Sequence, residues 1–305
     1  MANLYQERNN NLTRTWFLMI GFFALVALVG WGVSYYYGDV TIFYGAMAFA
    51  LCMNVGSFWF SDKLVLSMTN AKPATREEFF DFYTVTENLA IAAGLPMPKL
   101  YVIQDAAPNA FATGRDEKHA VVAATTGLLS MMTRPELEGV IAHELSHIKN
   151  QDMLVMTIAV VLAGFLAILA DIFLRASMFG GGNRDENNKG GALFAIIAVV
   201  GIILAPIAAQ LIQLAISRRR EYLADASGAL LTRYPEGLAS ALEKIGSYAA
   251  PMRNASHATA HLFIGDPFGA KAGKFVQGLF ATHPPVQKRI QALLGNKAVP
   301  SAEAE

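Results

Sequence analysis

The 305-residue sequence predicts an α+β integral membrane protein with four transmembrane helices and a mainly helical soluble domain that carries a small β-sheet. Three observations carry this expectation. Hydrophobic residues make up 54% of the chain and charged ones only 16%, below the quarter usual for soluble domains, so a sizeable part must face lipid. Four uncharged stretches approach or exceed the roughly 20 residues that a helix needs to cross a bilayer. Between them lie helical periodicities and two short runs rich in Val, Ile and Thr, the mark of strands.

The first two stretches, Trp16 to Gly38 and Val40 to Ser61, are separated by little more than Asp39, so residues 1–61 read as an N-terminal segment and a membrane hairpin with a very short external turn. The apolar run from Trp16 is longer than a signal-peptide core of about 7–15 residues, and no small-x-small site follows it, so the segment is expected to stay attached. Residues 62–151 form the first part of the soluble domain. Glu77 to Ala93 predicts a helix ended by Gly94, with Pro96 and Pro98 barring its continuation. Lys99 to Gln104 and Ala120 to Thr126 predict strands. A further helix opens at Thr133-Arg134-Pro135-Glu136, where Thr133 caps, Glu136 completes a capping box and the proline costs no hydrogen bond.

Residues 152–217 hold the third and fourth stretches, Met153 to Ala170 and Gly190 to Ser217. The third is of marginal length, ending at Asp171, and the fourth contains Pro206, tolerable in a membrane helix whose neighbours satisfy the freed carbonyl. A buried core hairpin of a soluble domain stays open as the alternative for this pair. The glycine-rich connection, with Gly180-Gly181-Gly182 and Gly190-Gly191, reads as a flexible loop. Residues 218–298 return to the soluble domain, with proline-opened helices over Pro235 to Tyr248 and Pro285 to Leu294. The tail 299–305 has nothing to bury and is expected to be disordered.

Arg8 and Arg14 precede the first stretch, Lys63, Lys72 and Arg76 follow the second, and Arg218, Arg219 and Arg220 follow the fourth, while the first external turn has no cation. The positive-inside rule then places both termini and the soluble domain in the cytoplasm. Arg175, Arg184 and Lys189 weaken that asymmetry without reversing it. A net charge of zero gives no basic footprint for nucleic acid. The single cysteine, Cys52, lies in an apolar run, which excludes an internal disulfide framework and reads as packing.

The chemistry concentrates in His143-Glu144-Leu145-Ser146-His147. On a helix, positions i and i+4 share a face, so both imidazoles can reach one zinc ion, and Glu144 beside them can take the proton of a water activated by the metal. A zinc hydrolase needs a third protein ligand. Glu221 and Asp225, again four apart, suit a carboxylate ligand and a hydrogen-bond acceptor that fixes a ligating ring, although a solvated acidic helix face has the same spacing. Arg218 to Arg220 read first as a membrane-surface anchor, with Arg220 close enough to Glu221 to support the site. His283, ahead of Pro284-Pro285, is either a donor that stabilises an oxyanion or a cap for the following helix.

In order along the chain, Asn109-Ala110-Phe111-Ala112-Thr113-Gly114, Ala142-His143-Glu144-Leu145-Ser146-His147, Arg220-Glu221-Tyr222-Leu223-Ala224-Asp225 and Thr282-His283-Pro284-Pro285 with Arg289-Ile290 resemble the HtpX-type membrane zinc metalloproteases, which look related to the prenyl-protein (CaaX) proteases. The resemblance covers nearly the whole chain and departs at no motif position. It implies a zincin-like cytoplasmic metalloprotease domain with one Zn2+ per subunit on His143, His147 and Glu221, and peptide-bond hydrolysis with Glu144 as base. It also implies that Asn109, Ala110, Phe111 and Ala112 lie on an exposed edge strand that pairs with substrate, where the residues alone read equally as an irregular loop. The implied partners are misfolded or misassembled membrane proteins, unfolded polypeptides and other quality-control proteases, in a stress response at the bacterial plasma membrane. A CaaX-processing protease, a non-enzymatic membrane chaperone or scaffold and a metal transporter are the rivals. The last would place ionisable residues inside the spans.

Overall fold

Uncharged sequence from Trp16 onward has no reason to bend, and Leu4–Tyr37 forms one continuous helix, α1. In this computed structural model the described residues are 4–179, 218–253, 256, 259–269 and 284–295. The fourth apolar stretch, most of the glycine-rich loop, His283 and the tail therefore lie outside them. Gly38, with φ +67°, makes the turn, and the Asp39 carboxylate accepts from the Thr41 N–H at 2.9 Å and hydroxyl at 2.6 Å to open α2, Val40–Met68. Both helices are long and apolar enough to cross a membrane. Their large apolar side chains, including Trp16, Phe17, Ile20, Leu51 and Trp59, point outward, the arrangement of lipid-facing surface. A Cβ at Gly30 would overlap that of Ala46, so a small residue is required where α1 and α2 meet. Cys52 is exposed on α2, which corrects the packing role expected for it.

The remaining elements are β1 (Lys72–Pro73), α3 (Phe80–Ala93), β2 (Lys99–Ile103), β3 (Ala110–Thr113), β4 (Val121–Thr125), α4 (Thr126–Met131), α5 (Arg134–Lys149), α6 (Asp152–Phe179), α7 (Arg218–Thr232), α8 (Pro235–Ser247) and α9 (Val286–Leu294). Helix α6 runs through Asp171 for 28 residues; a single acidic residue does not end a helix whose neighbours keep strong helical propensity. The sheet has the order β1-β2-β4-β3, with β2 and β4 parallel and the two outer strands antiparallel to their neighbours. The two-residue β1 escapes sequence analysis because it is too short to alternate.

The chain divides into two units. One comprises Met1–Asn11, Asp62–Leu154 and Ile216–Glu305, the other Leu12–Ser61 and Val155–Ala215. In the first unit, Phe82, Val85, Val102, Val122, Ile141, Leu145, Leu242 and Ile290 belong to one buried core, with α5 packed against β3 and against α3, α7 and α8. Glycines set the approach of these helices: a Cβ at Gly139 would strike Leu238, one at Gly237 the Pro135 carbonyl, and one at Gly228 would lie 3.0 Å from the His143 backbone nitrogen. Helix α5 begins as the sequence predicts. The Glu136 carboxylate accepts from the Thr133 N–H at 2.7 Å, and also from Ser240 at 2.5 Å and Lys244 at 2.7 Å.

Candidate metal centre

Helix α5 presents His143, Glu144 and His147 to the interior, all nearly inaccessible to solvent. Helix α7 crosses it at Gly228, and on the same stripe of α7, three and seven residues earlier, lie Asp225 and Glu221. The close approach that a glycine permits thus brings two carboxylates onto the two imidazoles. Nε2 of His143 and Nε2 of His147 are 3.2 Å apart, and the Glu221 carboxylate lies 3.9 Å from the first and 3.5 Å from the second. The ligand atoms of these three residues fall within 4.8 Å of one another.

Each ring is turned by a carboxylate behind it. Nδ1 of His143 lies 2.9 Å from Asp225 Oδ1, and Nδ1 of His147 lies 3.0 Å from Asp152 Oδ2. With Nδ1–H donated to the carboxylate, the lone pair of each Nε2 faces the shared position, the orientation a metal ligand needs. Asp225 makes the contact expected of it, whereas Asp152 had no expected role. Five residues after His147, Asp152 would point elsewhere on a continuous helix; the chain instead breaks at Asn150 and Gln151, where Gln151 has φ +56°.

Arg289 is the second residue at the site for which no role was expected, although it stands in the last of the motifs above. It is the largest fully buried side chain among the described residues. Its Nε donates to Asp225 Oδ2 at 2.8 Å, one terminal nitrogen to Asp225 Oδ1 at 2.6 Å and the other to the Ile264 carbonyl at 3.1 Å. The latter nitrogen also lies 3.6 Å from Glu221. Arg220 is buried as well, with Nε 3.5 Å from Asp152 Oδ1. Arg220 thus takes the supporting place expected of it beside the site, through Asp152, and not the anchoring one, while the neighbouring Arg218 and Arg219 are exposed.

The electrostatics favour a cation. Glu144, Asp152, Glu221 and Asp225 are buried around the two imidazoles; among the described residues Arg220 stands beside Asp152 and Arg289 pairs with Asp225 and Glu221, and a cation held between the ligand atoms offsets acidic charge that burial makes costly. Burial disfavours a charged His147, yet Asp152, Glu221 and Glu144 outweigh it and hold its pKa up to about 9. Burial pushes the Glu144 carboxyl up to about 7, with Glu221 adding and His147, Arg289 and the Ala112 N–H opposing. Burial raises Asp225 too, but Arg289 and His143 overcome it and hold that carboxyl at about 2. Two imidazole nitrogens and a carboxylate whose ligand atoms converge in a buried, carboxylate-rich site fit a divalent metal ion.

Strand β3 lies at the sheet edge, as expected, but Asn109 to Ala112 are all buried, which corrects their expected exposure. The segment after α8 returns along this edge. Ile264 N–H donates to the Ala110 carbonyl at 2.9 Å, Asn109 exchanges two 3.0 Å hydrogen bonds with the Gly265 backbone, and Phe263 packs edge-on against Phe111. Two residues on, the Ala112 N–H faces the same edge as the Ala110 carbonyl and donates to the Glu144 carboxylate.

Residues 78–297 match the model of peptidase family M48. Relatives named "Protease HtpX homolog" include one from Caldanaerobacter subterraneus subsp. tengcongensis, 46% identical over 95% of this chain and 97% of the relative, and one from Pyrococcus furiosus, 50% identical over 86% and 89%. That of Streptococcus gordonii is 42% identical over 95% and 99%. The fold resembles the crystal structure of S. mikatae Ste24p, with a TM-score of 0.53 at 19% identity, over 88% of this chain and 62% of that one. Two apolar N-terminal helices, a buried His-His-Glu cluster and these matches together make the chain a membrane metalloprotease of HtpX type, a member of peptidase family M48.

Proposed function

We propose that this protein is a zinc endopeptidase of the bacterial plasma membrane that hydrolyses peptide bonds of misfolded or misassembled membrane proteins. It crosses the bilayer four times and keeps both termini and the catalytic domain in the cytoplasm. The observation that carries the reading is the buried convergence of His143, His147 and Glu221 with Glu144 adjoining them. Two nitrogens and one oxygen leave a tetrahedral position open, the donor set of hydrolytic zinc sites. Zinc held there would supply Lewis acidity to the scissile carbonyl and to the attacking water.

The protein's own groups do the rest. Glu144, with a pKa near neutrality, accepts the proton of the attacking water and delivers it to the leaving amine. Asp225 and Asp152 hold the imidazoles in one tautomer, and Arg289 keeps Asp225 ionised for that task. A substrate peptide extends the sheet along β3 by taking the place of the Phe263 to Gly265 segment that covers this edge, and Asn109, Ala110, Phe111 and Ala112 then supply its main-chain and side-chain contacts. His283 donates to the developing oxyanion. The short step from the catalytic helix into α6 suits cleavage sites close to the bilayer.

Metal analysis of the purified protein, joined to casein cleavage and self-cleavage with and without phenanthroline, tests the reading. The expected result is one zinc per chain and activity that chelation removes and zinc restores. Activity indifferent to chelation refutes it. Cleavage of lipid-bearing CaaX peptides in preference to casein would replace the substrate class.

A further inference from the structure

Asp152 is tied to the N-terminal helix as well as to His147. The Asn11 side chain, on α1, donates one hydrogen bond to Asp152 Oδ1 at 2.6 Å and another to the Asn150 carbonyl at 3.0 Å. Arg220 Nε stands 3.5 Å from the same Oδ1, leaving Oδ2 to His147 at 3.0 Å. Asn11, Asn150, Asp152 and His147 are all buried.

The backbone explains why such a clamp is needed. Successive residues of an α-helix are turned by about 100°, so a residue five positions beyond His147 would be turned by about 140° and face away from it. Asp152 comes round only because Gln151 adopts φ +56°, a conformation that non-glycine residues seldom take and that persists where the surroundings impose it. Asn11 bonds the residue before that break and the residue after it.

We infer that Asn11 and Asp152 form a positioning relay, in which the N-terminal helix fixes Asp152 and Asp152 fixes the tautomer and ring orientation of the metal ligand His147. The relay rests on the proposed metal site. It makes the segment that precedes the first apolar stretch a component of that site: Asn11 delivers one hydrogen bond, from a neutral amide, to a carboxylate whose other oxygen is committed to the ring. Neither residue touches the reacting atoms, so their loss acts on metal affinity and geometry.

The test uses the full-length protein in detergent, with zinc affinity measured by competition against a chelator of known strength and geometry read from the visible spectrum of the cobalt-loaded protein. Asp152→Asn should weaken zinc binding by about 10–100-fold, shift the cobalt bands and lower kcat more than it raises KM. Asn11→Ala should act in the same direction by a smaller factor. In the double variant the two losses should fall short of additive, as they must for members of one hydrogen-bonded chain. His147→Ala serves as the reference. If it keeps zinc at the parent's affinity, the ligand assignment fails, and the relay with it. If it loses zinc while Asp152→Asn or Asn11→Ala keeps the parent's affinity and cobalt spectrum, the relay alone is overturned. Additive losses in the double variant also overturn it. Should Asp152→Asn fail to fold, Asn11→Ala decides by the same two readouts.

Discussion

Replacing Arg289 by leucine removes the guanidinium that holds Asp225 at both oxygens and leaves a carboxylate buried without its cation. Two estimates bracket the cost. A carboxyl lowered from 3.8 to about 2 corresponds to roughly 2.5 kcal/mol in favour of the ionised form. Breaking a buried ion pair from one side costs about 3–5 kcal/mol. Arg289→Leu should therefore destabilise the domain by about 2–5 kcal/mol at neutral pH, and Arg289→Lys should recover only part, because an ammonium cannot engage both oxygens at once. The pH dependence has a definite sign. Asp225 has its lower pKa in the folded state, so the pair's contribution is fully present above 3.8 and is lost as pH falls through about 2. Thermal unfolding of parent and variant in detergent, with a chelator present to remove coupling to metal, should show a gap that is widest at neutral pH and narrows with acid, first as Asp225 of the variant, raised by burial without its guanidinium, takes up a proton, and then as the parent's Asp225 is protonated towards about pH 2. A variant as stable as the parent at pH 7, or a gap that does not change with acidity, refutes the reasoning.

The sheet edge and the topology give further tests. Ala112→Pro deletes the N–H that donates to Glu144 as well as a contact for substrate, so both a lower kcat and a higher KM are expected. Ala110→Pro should act chiefly on KM; normal kinetics in both variants would remove β3 from the substrate site. In a Cys52→Ala background, cysteines placed at Gly182 and Ser301 should differ towards a membrane-impermeant thiol reagent in intact cells, with Gly182 labelled and Ser301 protected. Equal protection would make the second pair of apolar stretches a hairpin of the soluble domain. His283→Ala should lower kcat by up to about 10²–10³-fold with zinc and KM little changed. Unchanged kcat with a lower Tm would leave His283 as a helix cap.

What the sequence made legible was local. The start of α5 follows from Thr133, Pro135 and Glu136 within four residues, and the shared faces of His143 with His147 and of Glu221 with Asp225 follow from helical spacing alone. Contacts that depend on long-range return of the chain were not legible. Arg289 reaches Asp225 across 64 residues, and nothing in its own surroundings distinguishes it from a surface arginine of an amphipathic helix. Asp152 sits beside His147 in sequence but reaches it only through the left-handed Gln151, and no glycine marks that turn. The burial of β3 was missed for the same reason, since the strand's cover comes from Phe263 to Gly265, about 150 residues later. Arg220 was expected to support the site as the neighbour of Glu221, but its partner Asp152 was not legible, because three consecutive arginines look alike and α7 turns only the third towards it.

Zinc content measured beside turnover in Glu144→Gln tests the central claim most directly, because it separates holding the metal from moving the proton. The amide keeps the shape of the side chain but cannot accept a proton, and Glu144 is not among the three residues that converge on the metal position. The account predicts close to one zinc per chain, as in the parent, with nearly all peptide hydrolysis lost. Zinc lost together with activity, or activity retained with zinc in place, would contradict it.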